Sequence, residues 1–152
     1  MREKLNMNKK IKFEYADAWL LLSIIYSKQH GQATLSDIIG QGDFINHAIF
    51  SFEELQGGLY RLAMAGYIIK KNNGFLPTDK IMMSYNQFTK RRNPVERELK
   101  FIRTELNSPE WSTNYDPSKA NKNGADKEIT KELYDKAYKE YSDKMLPSKS
   151  RR

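Results

Sequence analysis

The stretch SFEELQGGLYRLAMAGYIIKKNNGFLPT, Ser51 to Thr78, decides the fold. Ser51-Phe52-Glu53-Glu54 has the Ser-x-x-Glu spacing of a capping box, in which each side chain satisfies an amide that the helix start leaves without a partner. Leu55, Leu59, Leu62 and Gly66 then recur at helical spacing, with Gly66 placed to close the helix, while Gln56, Tyr60 and Met64 fall on another face. Tyr67-Ile68-Ile69-Lys70-Lys71 and Phe75-Leu76 flank Asn72-Asn73-Gly74, which is turn composition, and so predict a β-hairpin that Pro77 ends.

Upstream, Ala18-Trp19-Leu20-Leu21-Leu22-Ser23-Ile24-Ile25-Tyr26 lies within a helix predicted from Asp17 to Gln29 and apolar on almost every side. Such a helix needs more than one neighbour, either the later helices or a second subunit. His30-Gly31-Gln32 ends it, with Gly31 as a left-handed cap. Thr34 or Ser36 caps the next helix through Ile38 and Ile39, which Gly40-Gln41-Gly42 interrupts. Asp43 to Phe50 follows as a helical extension or an ordered loop.

Downstream, Thr78 is placed to cap a helix from Asp79 to Thr89, and another runs from Val95 to Leu106 with Leu99, Ile102, Arg103 and Leu106 along one side. The division expected is a basic arm over residues 1–12, a domain with a helical extension over 13–107, a linker over 108–126, an amphipathic helix over 127–145 and a basic tail over 146–152. The last helix carries Ile129, Leu133, Ala137, Tyr141 and Met145, with Tyr134 and Tyr138 alongside.

The segment Gly57-Gly58-Leu59-Tyr60-Arg61-Leu62-Ala63-Met64-Ala65-Gly66-Tyr67-Ile68-Ile69, followed by Asn72-Asn73-Gly74-Phe75-Leu76-Pro77-Thr78, resembles the third helix and wing of bacterial winged-helix regulators. The resemblance covers residues 17 to 78. It implies a mainly α fold with a small β-hairpin, a winged helix-turn-helix domain with additional C-terminal helices, and a part in transcription regulation. In such regulators the third helix enters the major groove while basic wing residues hold phosphates. Carried onto this chain, Gln56, Tyr60 and Arg61 are the candidate readers, with Lys70 and Lys71 on phosphate. Lys90, Arg91 and Arg92 form a basic cluster that fits phosphate or an acidic protein face.

The helix departs from that pattern. Glu53 and Glu54 open it toward an already negative groove, and Arg61 is its one base. The competing assignment makes Glu54 a cap, Arg61 a solvated charge and Tyr60 a packing residue. Gly57-Gly58 then clears space for a neighbouring helix, or for a DNA or partner backbone.

The 152 residues carry a net charge of +7, and its distribution matters more than its size. From Phe13 to Thr78 four basic residues meet six acidic ones, a balance of −2, so the positive charge sits in the flanks. There is no Cys, which excludes disulfides and thiolate chemistry and agrees with the cytoplasm. The apolar run is too short to cross a membrane.

Asp43 and His47 would share a helix face but make neither a metal site nor a triad. Without a phosphate-binding Gly loop, clustered carboxylates or an activated nucleophile, the expectation is a non-enzyme with no catalytic residue, metal or cofactor. Its expected partners are double-stranded DNA and a second copy of itself, joined through the first and C-terminal helices. The alternative is a protein-interaction or homodimerisation module that does not bind DNA.

Overall fold

A computed structural model describes residues 11–29, 33–71, 74–107 and 129–145. Within them the order is α1 (Tyr15–Gln29), α2 (Leu35–Asn46), α3 (Phe52–Met64), β1 (Ile68–Lys71), β2 (Gly74–Pro77), α4 (Asp79–Phe88), α5 (Val95–Leu106) and α6 (Lys131–Met145). This is a mainly α winged helix-turn-helix with additional C-terminal helices. Residues 1–10, the 108–126 segment, the tail, and the His30 to Gln32 cap lie outside the described residues. Ile11, read as part of the arm, is instead buried in the core.

α1 is the hub, with Leu20, Leu21, Leu22, Ile24 and Ile25 wholly buried. Its two buried serines are satisfied within the helix: Ser23 Oγ donates to the Trp19 carbonyl and Ser27 Oγ to that of Ser23. α2, α3, α5 and β2 all pack on it, with Ile102 and Leu106 of α5 and Ile81 of α4 joining the same core. The later helices therefore supply the cover that its sequence requires. Within α1 the apolar residues from Ala16 to Ile25 are all buried by the chain's own elements.

Thr34, not Ser36, caps α2, forming a capping box with Asp37. The helix runs straight through Gly40 and Gly42. These glycines do not break it because what they supply is room. A Cβ at Gly42 would stand 2.3 Å from Cε2 of Phe50, whose ring stacks on Trp19 with centroids 3.8 Å apart. Trp19 Nε1 also donates to the Gly42 carbonyl at 2.9 Å. α2 closes at His47, a C-cap at φ 54 whose amide bonds the Asp43 carbonyl, and an extended segment returns Phe50 to the core. Asp43 and His47 thus form a helix end, not a site.

The Ser51–Glu54 box starts α3 with bonds of 3.0 and 2.9 Å, and Gly66 at φ +84 turns the chain after it. β1 and β2 pair antiparallel, Ile68 opposite Pro77 and Lys71 opposite Gly74, joined across residues 72–73. Gly74 belongs to β2 and not to the turn. A bridge to Thr34 and the bond from the Phe75 amide to the Ala33 carbonyl bring the two backbones so close that a Cβ would stand 1.9 Å from Ala33 O. Thr78 precedes α4 but does not cap it: its hydroxyl donates to the Gly66 carbonyl at 2.6 Å, tying the end of the wing to the end of α3.

α5 brings Glu98 under the core edge, where Tyr26 and Tyr85 donate to its Oε1 at 2.8 and 2.6 Å. On α6 the buried line is Tyr134 and Ala137, with Ile129 before the helix, whereas Leu133 and Met145, expected on that line, are exposed. The inward face is rotated toward Tyr134 because its hydroxyl donates to the Phe50 carbonyl at 2.5 Å.

Two consequences are measurable. Gly42→Ala adds a methyl where Phe50 cannot retreat, so overpacking of about 1–3 kcal/mol should exceed the roughly 1 kcal/mol gained in helix propensity. Urea unfolding should show a lower midpoint; an unchanged or raised one would disprove the packing role. Burial, then hydrogen bonding to Glu98, raises the phenols of Tyr26 and Tyr85 above their ordinary value of 10.0. A raised folded-state pKa gives stability that is complete below pH 10 and lost as the pH climbs beyond it. The melting temperature should fall on the alkaline side of pH 10, and less steeply in Tyr26→Phe/Tyr85→Phe.

Candidate nucleic-acid interface

The buried side of α3 is Leu55, Gly58, Leu59, Leu62 and Ala63. Helical geometry therefore puts Glu53, Gly57 and Tyr60 outward, with Gln56 and Arg61 on the two flanks. Both flanking side chains are engaged within the chain. Gln56 Nε2 donates to the Ile129 carbonyl at 2.9 Å, just ahead of α6.

Arg61 turns the other way, toward α1. Its Nε and Nη2 donate to Oδ2 and Oδ1 of Asp17 at 2.7 and 2.8 Å, and Nη2 also reaches Glu14 at 3.4 Å. The Asp17 side chain is 0% exposed and that of Arg61 24% exposed. Hydrogen bonding to Asp17 raises the Arg61 pKa further above its already basic value. Arg61 is thus a structural partner of a buried carboxylate, neither a solvated charge nor, in this conformation, a side chain directed at a groove.

The Gly57-Gly58 pair serves the same junction. A Cβ at Gly58 would meet Leu20 Cδ2 at 2.6 Å and Asp17 Oδ1 at 3.0 Å, and one at Gly57 would lie 3.1 Å from the Arg61 guanidinium. Close helix packing, one of the two roles read for the pair, accounts for Gly58, whereas the space beside Gly57 is taken by the Arg61 side chain of the same helix. Tyr60 is half-buried against the core.

The wing presents Lys70 and Lys71, both exposed, in the outer half of β1. Lys90, Arg91 and Arg92 are exposed in the turn between α4 and α5, which Asn93 braces by donating to the Arg91 and Phe88 carbonyls. A cavity of about 300 Å³ lies where the wing, the start of α2 and α6 meet, bounded by Lys70 and Phe75, by Leu35, and by Ile129, Leu133 and Lys136. Among the described residues no group of three or more His, Asp or Glu side chains is placed to hold a metal. Among them, too, no helix is long and apolar enough to cross a membrane.

Sequence reasoning missed Asp17 and Ile129. An acidic residue inside an apolar helix, in a chain with one base on its third helix, was a signal for the first. A backbone carbonyl far along the chain leaves none. No family model, curated protein or solved structure matches the chain.

Removing one partner of a buried ion pair strands the other charge. Arg61→Met should cost about 3 kcal/mol, the low end of that class because part of the side chain stays in water, and adding Asp17→Asn should restore much of the loss. Denaturant titration of the single and double variants reads this. A stability unchanged by Arg61→Met would mean that the pair does not hold α1 to α3.

Proposed function

We propose that this chain is a non-catalytic winged-helix protein of the cytoplasm that binds double-stranded DNA in transcription regulation, holding phosphates with its wing. The exposed Lys70 and Lys71 on the hairpin carry this reading. The bridge at Thr34 and the Thr78 hydroxyl fix the hairpin to the body, so both exposed lysines stand on a braced element. The exposed Lys90, Arg91 and Arg92 add a second cationic group suited to the duplex backbone.

The balance of roles differs from that of a base reader. Arg61 serves the core, Glu53 faces outward and Gln56 is engaged, while Tyr60 lies on the outward side of α3, half-buried against the core. Phosphate contact carries affinity without sequence preference and is steeply salt-dependent. Discrimination between sequences would then come from Tyr60 and from any Gln56 released from Ile129.

A second reading, a protein-interaction module or homodimer, is favoured by the outward strip of α3, which has a carboxylate and an aromatic ring but no cation. The exposed Leu133, Tyr138 and Met145 of α6 add apolar surface. Gel retardation of a random-sequence duplex at low salt separates the two. The full chain should retard the duplex, with a negative log–log salt slope that becomes shallower by about 2 in Lys70→Glu/Lys71→Glu. If neither protein retards the duplex, the DNA reading falls. Concentration-dependent sedimentation would then argue for the second.

A further inference from the structure

The surface proposed to meet DNA is already in contact with another part of the same chain. α6 and the segment just before it touch two of the three parts that a winged helix offers to a duplex and line a cavity with the third. On α3, the Ile129 carbonyl holds Gln56 and the Tyr134 ring meets Phe52 edge-on at 5.9 Å. On α2, Tyr141 donates to Asp43 Oδ2 at 2.6 Å, its ring 3.1 Å from where a Gly40 Cβ would stand, and Lys144 lies 3.9 Å from Asp37 in the first turn. At the wing, Lys70 and Phe75 share the 300 Å³ cavity with Leu133 and Lys136. The third helix, the helix before it and the wing are the elements that dock on groove and backbone, and one body cannot share them with another.

The attachment is selective. Of the α6 helix only Tyr134 and Ala137 are buried, and its glycine contact needs no side chain on α2. A single helix of 15 residues is marginal in water without a surface to pack on, so its docking and its folding are coupled. In the sequence 21 residues separate Asn107 from Ile129, enough chain for α6 to leave α2 and α3 while α5 stays in place.

Building on the duplex-binding reading above, we propose that α6 is an intramolecular competitor for the nucleic-acid face: docked, it withholds Gln56 and excludes the duplex; undocked, it releases both. The apparent affinity for DNA is then the intrinsic one scaled by the fraction of molecules in which α6 is away.

The absence of Cys makes a clean test available, since Gly40→Cys/Tyr141→Cys can be joined by a short thiol-reactive cross-linker across the α2–α6 contact. Binding of a random-sequence duplex is measured by fluorescence anisotropy at one low salt concentration. The proteins are wild type, Tyr134→Ala/Tyr141→Ala, and the cysteine variant before and after cross-linking. The released variant should bind about tenfold tighter than wild type, and cross-linking should weaken binding by at least a similar factor. The cross-linked and uncross-linked forms are one polypeptide, so a folding defect in the alanine variant does not decide the outcome. Equal binding by these two forms would overturn the competition and leave DNA binding standing. Binding by none of the four would overturn both.

Discussion

A carboxylate with no access to water sets the terms for this fold. Asp17 stands in the first turn of a helix buried on every side, where an uncompensated charge would cost several kcal/mol. Arg61 answers it from α3 with two bonds, Gly58 clears the space through which the two helices approach, and Gly57 leaves room for the Arg61 guanidinium. This junction sets how closely α3 lies against α1, and the wing continues from the end of α3. The same junction removes from the surface the one base that the third helix possesses, so the constraint that builds the scaffold also narrows what the scaffold can do.

Local signals in the sequence were strong where one short stretch contains both partners. The Ser51–Glu54 box, the Gly66 turn and the Asn72-Asn73-Gly74 turn composition each carry their cause within a few residues, and α3 and the hairpin strands stand where those patterns put them. Glycine is the instructive failure. Gly40, Gly42 and Gly74 were legible as glycines but not as to why. A missing side chain serves an unusual dihedral and a close neighbour equally well, and here the neighbours are Tyr141, Phe50 and the Ala33 backbone. The orientation of α6 was illegible for a related reason. Leu133 and Tyr134 are equally apolar in pattern, and only the distant Phe50 carbonyl makes Tyr134 the inward one.

The candidate site divides along the same line. Exposure of Lys70, Lys71 and the Lys90 to Arg92 cluster could be read from charge and turn context. The engagement of Gln56 depends on a residue 73 positions away and could not. Helical spacing assigns a residue to a face but does not say whether another segment already lies against it.

Charge decides how two occupants of one face would compete. α6 holds four lysines and four acidic residues between Lys131 and Met145, so it carries no net charge and is held by aromatic packing and by short hydrogen bonds from Tyr134 and Tyr141. It is therefore no mimic of a polyanion. Contacts of that kind change little with ionic strength, whereas a duplex held through lysine–phosphate contacts loses affinity steeply as salt rises. On this reading the balance between helix and duplex turns on the electrolyte and on the number of phosphates engaged. If the proposed reading holds, a chain whose third helix is slightly acidic gains most from partners that supply many phosphates at once, a continuous duplex being the simplest of them.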